Sequence, residues 1–98
     1  MNYNLDEKED VVTLEDIGHG EISYLIIYND DYNTFDWVIK SLIDVCGHSA
    51  EQAEQLSLLI HFKGKATVKT ASHDVLQPLK DSLTERGLSA VIESDVKH

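Results

Sequence analysis

The strongest signal in the chain is the run Ile22-Ser23-Tyr24-Leu25-Ile26-Ile27-Tyr28, rich in branched and aromatic residues. No breaker interrupts it, so the pattern predicts a strand over residues 21–28. Its second half is apolar at consecutive positions, which puts apolar groups on both faces and predicts a central strand. The period then changes. Phe35, Val38, Ile39, Leu42, Ile43 and Cys46 recur at helical spacing. Asn33 or Thr34 suits the N-cap, Asp36 stands in the first turn facing the helix dipole, and Gly47 suits the closing left-handed position. Ser49-Ala50-Glu51-Gln52 follows as a capping box. It predicts a second helix from Ala50 to about Phe62, with Ala53, Leu56, Leu59 and Ile60 on one stripe and Gly64 as its stop. So short a connection makes the two helices a tight hairpin.

Lys65 to Ala71 alternates, predicting a half-buried strand with Ala66, Val68 and Thr70 on one face and Lys65, Thr67 and Lys69 on the other. Ser72 suits the cap of a third helix whose inner face carries Leu76, Leu79 and Leu83. Pro78 predicts either a kink or a looser turn over residues 72–77, because an interior proline removes a donor and costs about 3 kcal/mol. Arg86 stands near the helix end, Gly87 closes it, and Leu88 to Glu93 alternates as a last strand. The order β-α-α-β-α-β predicts a two-layer α+β fold, a three-stranded antiparallel sheet packed on three helices.

Residues 1–20 break this regularity. Val11, Val12, Leu14 and Ile17 are scattered among Asp6, Glu7, Glu9, Asp10, Glu15 and Asp16, with Lys8 as the one base. Such a stretch has little to bury and is expected to be a flexible acidic tail before a core domain over residues 21–98. The full 98 residues suit one domain. Their net charge of −10 and single arginine argue against nucleic acid and anionic membranes, which need clustered bases. A cationic group or a basic protein surface is the better match. No stretch approaches the roughly 18 apolar residues that span a bilayer. The N-terminus lacks the basic flank and apolar core of a signal peptide. The one cysteine, Cys46, excludes an internal disulfide, so a reducing, cytoplasmic setting is expected.

The chemistry concentrates at Asn29-Asp30-Asp31, between the first strand and the first helix. Asn and Asp at such corners often serve only to bond their own backbone. The same acceptors also suit an ammonium group, which carries three donors and one positive charge. His61 adds an acceptor if the second helix packs back on the strand end. A divalent metal on Asp30, Asp31 and His61, serving an enzyme, is a rival reading, but no second histidine stands at ligand spacing. Cys46 falls on an apolar stripe, and neither a nucleophile elbow nor a phosphate loop is present. Neither catalysis nor a cofactor is therefore expected.

Asn29-Asp30-Asp31, the helix start Phe35-Asp36-Trp37-Val38, and Gln55-Leu56 through Ile60-His61-Phe62 to Gly64-Lys65-Ala66 resemble the ClpS adaptors of bacterial AAA+ Clp proteases. The resemblance covers residues 22–93. It implies a monomeric, non-enzymatic adaptor that binds proteins with a large hydrophobic N-terminal residue, an N-degron, and hands them to the N-terminal domain of a ClpA- or ClpC-like unfoldase. It implies that Asn29, Asp30 and His61 hold the substrate α-amino group, with Asp31 shaping the same corner. Asn33, Phe35, Val38, Ser57 and Ile60 would line the side-chain pocket, an apolar cup beside a polar ring. Asp74 matches an acidic unfoldase contact on the third helix, whereas Lys80 is out of register with the family's lysine there. The chain departs from the family where Thr-Pro-Met commonly follows Asn-Asp-Asp, since here Asn33-Thr34-Phe35 is reached instead. It departs again where a pocket methionine is replaced by Ser57. The alternative is an α+β protein-interaction or small-ligand domain without N-degron activity.

Overall fold

In the computed structural model, which describes residues 22–94, the strand Ile22–Tyr28 (β1) occupies the middle of the sheet. The expected acidic tail over residues 1–20 lies outside the described residues. Lys65–Ser72 (β2) and Ser89–Ser94 (β3) pair with β1 on either side, both antiparallel. The helices are Phe35–Cys46 (α1), Ala50–Lys63 (α2) and His73–Glu85 (α3), so the element order and the two-layer α+β architecture are those expected. Alternation along β1 sends Leu25 and Ile27 to the helical face. There they join Val68, Ala71 and Ala90 from the strands and Val38, Leu42, Ala53, Ile60, Leu76 and Leu83 from the helices in one core.

Local chemistry starts α1 and α2 as the sequence suggests. Thr34 Oγ1 accepts from the Trp37 N–H at 3.0 Å and begins α1. Ser49 and Gln52 form the reciprocal capping box of α2. The lone arginine fastens the end of α3 onto α1. Its guanidinium lies 5.2 Å from the centre of the Trp37 ring and pairs with Asp44 at 3.2 Å, while the Trp37 indole N–H donates to the Arg86 carbonyl at 3.0 Å. His48 Nε2 meets the Val68 carbonyl at 2.8 Å and pins the α1–α2 turn to β2.

Four local expectations are corrected. The β1–β2 register shifts at a bulge: Leu25 pairs with Lys69 and Ile26 with Thr67, leaving Val68 as the extra residue. The bulge changes the phase of β2, so Ala71 is buried in place of Thr70. On α2 the inward stripe is Ala53, Leu56, Ser57 and Ile60, at i, i+3, i+4 and i+7. Leu59 falls off that stripe and is 45% exposed. α3 runs unbroken through Pro78. The donor that proline lacks would have served the Asp74 carbonyl, and both residues are exposed, so water can take its place. Finally, Ser72 occupies the N-cap of α3, but its side chain is buried and makes no capping bond.

Gly64 closes α2 at φ 92° and its carbonyl accepts from the Asn29 N–H at 2.9 Å. A Cβ there would meet nothing within 4 Å. Any cost of Gly64→Ala therefore comes from the backbone angle alone. The expected loss is about 1–2 kcal/mol in urea denaturation. An unchanged midpoint would show that the turn relaxes freely.

Candidate functional site

Three connections build the corner after β1. The Asn29–Gly64 backbone bond ties the strand end to the C-terminus of α2, one turn beyond His61. The Asp30 carboxylate then folds the chain toward α1. Its Oδ1 accepts from the backbone N–H of Tyr32 at 2.9 Å and of Asn33 at 2.8 Å, and its Oδ2 accepts from Asn33 Nδ2 at 2.7 Å. The same Asn33 amide donates to the Gly87 carbonyl at 2.9 Å, which anchors the corner to the turn before β3. Partial burial pushes the Asp30 carboxyl up, but the hydrogen bonds from Asn33, Tyr32 and Ser89 outweigh it. The net effect holds the group below the ordinary 3.8.

Asp30 thus performs the turn-forming role that its position suggested, and both its oxygens are engaged. Its neighbours are different. Asn29, Asp31 and His61 are all exposed, and their side-chain polar atoms make no hydrogen bond to other described residues. The His61 ring packs on Phe62, edge to face at 4.8 Å.

Between this corner and the α1–α2 hairpin lies a cavity of about 430 Å³. Nine residues picked out in the sequence line it: Asn29, Asp30, Asp31, Asn33, Phe35, Val38, Ser57, Ile60 and His61. Its polar lining includes Asn29, Asp30 and Asp31, which directly follow β1. Its apolar lining includes Val38 and Ile60, which belong to the core, and Phe35, which is 39% exposed. Ser57, also in the lining, is only 2% exposed. Leu58 and Phe62 also line the cavity and were missed. Phe62 is 75% exposed, and its position directly after His61 was the available signal. Asp74 lies elsewhere, exposed in the first turn of α3.

Little in the site favours the rival chemistries. Among the described residues, no three His, Cys, Asp or Glu side chains gather as a metal site. Burial pushes the Cys46 thiol up to about 11, which keeps it protonated and unreactive at neutral pH. No helix among the described residues is long and apolar enough to cross a membrane.

Comparison with known proteins places this geometry. The family model described as ATP-dependent Clp protease adaptor protein ClpS matches residues 21–91. An ATP-dependent Clp protease adapter protein ClpS of Neisseria meningitidis is 34% identical over 62 residues, covering 63% of this chain and 60% of the relative. One from Acetivibrio thermocellus is 37% identical over 62 residues, covering 63% and 62%. The chain thus matches about three-fifths of the length of these relatives. The structure of Agrobacterium tumefaciens ClpS2 bound to L-phenylalaninamide superposes with a TM-score of 0.75 over 79% of this chain and all of that one. At 20% identity this likeness speaks for the fold.

Removing the Asp30 carboxylate is expected to loosen the corner. Asp30→Ala should cost about 1–3 kcal/mol at neutral pH, measured by urea denaturation. Because the folded-state pKa is depressed, this contribution is present above the ordinary 3.8 and lost as pH falls through the lower folded value. The gap between wild type and variant should therefore narrow as pH falls below 3.8. A gap independent of pH would assign the effect to packing instead.

Proposed function

The chain belongs to the ClpS family of ATP-dependent Clp protease adaptors, and from that premise we propose that it selects substrates by their first residue. In this reading it binds polypeptides that begin with a large hydrophobic residue, an N-degron, and delivers them to a Clp AAA+ unfoldase. The observation that carries the proposal is the mixed polar and apolar lining of the cavity. Its polar part offers acceptors on Asn29, Asp31 and His61 with no partner among the described residues, matching the three donors of an α-ammonium. The ionised Asp30 beside them adds negative charge without surrendering its own hydrogen bonds. Phe35, Val38 and Ile60, which also line the cavity, suit an apolar side chain. Burying such a side chain contributes about 1.5–3 kcal/mol. The ammonium bonds add selectivity for a free N-terminus.

The ligand of the Agrobacterium relative supports the same reading, since phenylalaninamide joins a free α-amino group to a phenyl side chain. Delivery calls for a second surface on the N-terminal domain of a ClpA- or ClpC-like unfoldase. Asp74 is our candidate contact there, being exposed on α3 and outside the cavity. Nothing in this role requires catalysis, in keeping with a family of adaptors.

Fluorescence anisotropy with a labelled peptide beginning with Phe tests the central claim. The free amine is expected to bind at least about tenfold more tightly than the same peptide N-acetylated, because acetylation removes the charge and two donors. Equal affinities would reduce the cavity to a general apolar peptide site.

A further inference from the structure

Ser57 carries an unresolved demand. It lies on the inward stripe of α2, four residues before His61 and three before Ile60, and its side chain is buried. Its Oγ has no hydrogen-bond partner among the described residues. Native interiors leave few buried polar atoms unpaired, and a helical serine can usually satisfy itself on the carbonyl one turn back. Here it does neither, and it sits in the cavity wall among Val38, Phe35 and Ile60.

We propose that Ser57 is a specificity-determining residue of this cavity, its hydroxyl bonding the polar tip of the bound aromatic side chain and favouring N-terminal tyrosine over phenylalanine. The inference rests on the reading of the cavity as a site for an N-terminal residue. His61 is exposed and Ser57, four residues earlier and about 6 Å back along α2, is buried. In that reading an α-amino group held beside His61 sends its side chain toward the buried part of the lining, Ser57 included. Tyrosine places its hydroxyl at the far end of the ring, so amine and hydroxyl can be held at once. A serine hydroxyl donates and accepts, and a phenol can answer in either sense. Phenylalanine and leucine have no group at that end and leave Ser57 unpaired. Sites built to bond a substrate hydroxyl discriminate against the analogue that lacks it for the same reason.

The test compares peptides identical except for Tyr or Phe at the first position, on wild type and on Ser57→Ala, by anisotropy. Wild type is expected to favour Tyr by roughly three- to tenfold, the worth of one buried neutral hydrogen bond. In Ser57→Ala the Tyr-to-Phe ratio should fall to about one, a change in ratio that mere loosening of the wall would not produce. Should Ser57→Ala fail to fold, the wild-type ratio still decides. Equal wild-type affinities for Tyr and Phe, or a preference for Tyr that persists in Ser57→Ala, would overturn this inference and leave the N-terminal-residue reading standing. Failure of both peptides to bind would overturn that reading too.

Discussion

Everything at this site depends on one carboxylate accepting hydrogen bonds from the chain that follows it. β1 ends at Tyr28 and α1 begins at Phe35, so six residues must reverse direction and leave a sheet for a helix. No glycine or proline lies among them. Asp30 solves the turn by receiving the Tyr32 and Asn33 amides on one oxygen and the Asn33 side chain on the other. Asn33 extends the arrangement to Gly87, so the approach to β3 is held by the same unit. Structure and charge are thereby combined. The group that builds the corner is also ionised, and it leaves Asn29 and Asp31 facing outward beside it.

The fold was legible wherever a single periodicity governed a segment. β1, the capped helical hairpin and the order of the six elements all follow from spacing and caps. The failures share a cause, which is that one-dimensional patterns cannot register a change of phase. A bulge opposite Leu25 and Ile26 shifts β2 by one residue and exchanges Thr70 for Ala71 in the interior. On α2, hydrophobicity alone favoured Leu59 over Ser57, although the helical repeat through Ala53 and Ile60 passes through Ser57. Leu59 is consequently exposed and the serine buried. Pro78 looked disruptive because the sequence does not say whether the carbonyl it deprives faces water.

The site was legible in a different way. Residue chemistry alone reached a polar corner able to hold some cation, with His61 as a further acceptor. Resemblance to a family nominated the apolar wall. Their convergence on one cavity comes from the antiparallel return of α2, which the Asn29–Gly64 bond registers against the strand end. What resemblance could not supply is the state of Ser57. Only the packed structure reveals that its hydroxyl is buried and has no hydrogen-bond partner among the described residues.

That backbone bond between Asn29 and Gly64 has a thermodynamic consequence. His61, Ile60 and Ser57 stand on one helix whose end is fastened to the corner, so the two halves of the cavity keep a fixed separation. A ligand that engages one half presents its other half at a high effective concentration, and the entropy of positioning is lost once rather than twice. A free amine without the side chain, or the side chain without the amine, forgoes this linkage and keeps only its own weak contribution. In the proposed role the arrangement would act as a chelator of two unlike groups on one carbon, its selectivity set as much by the spacing between them as by either set of contacts.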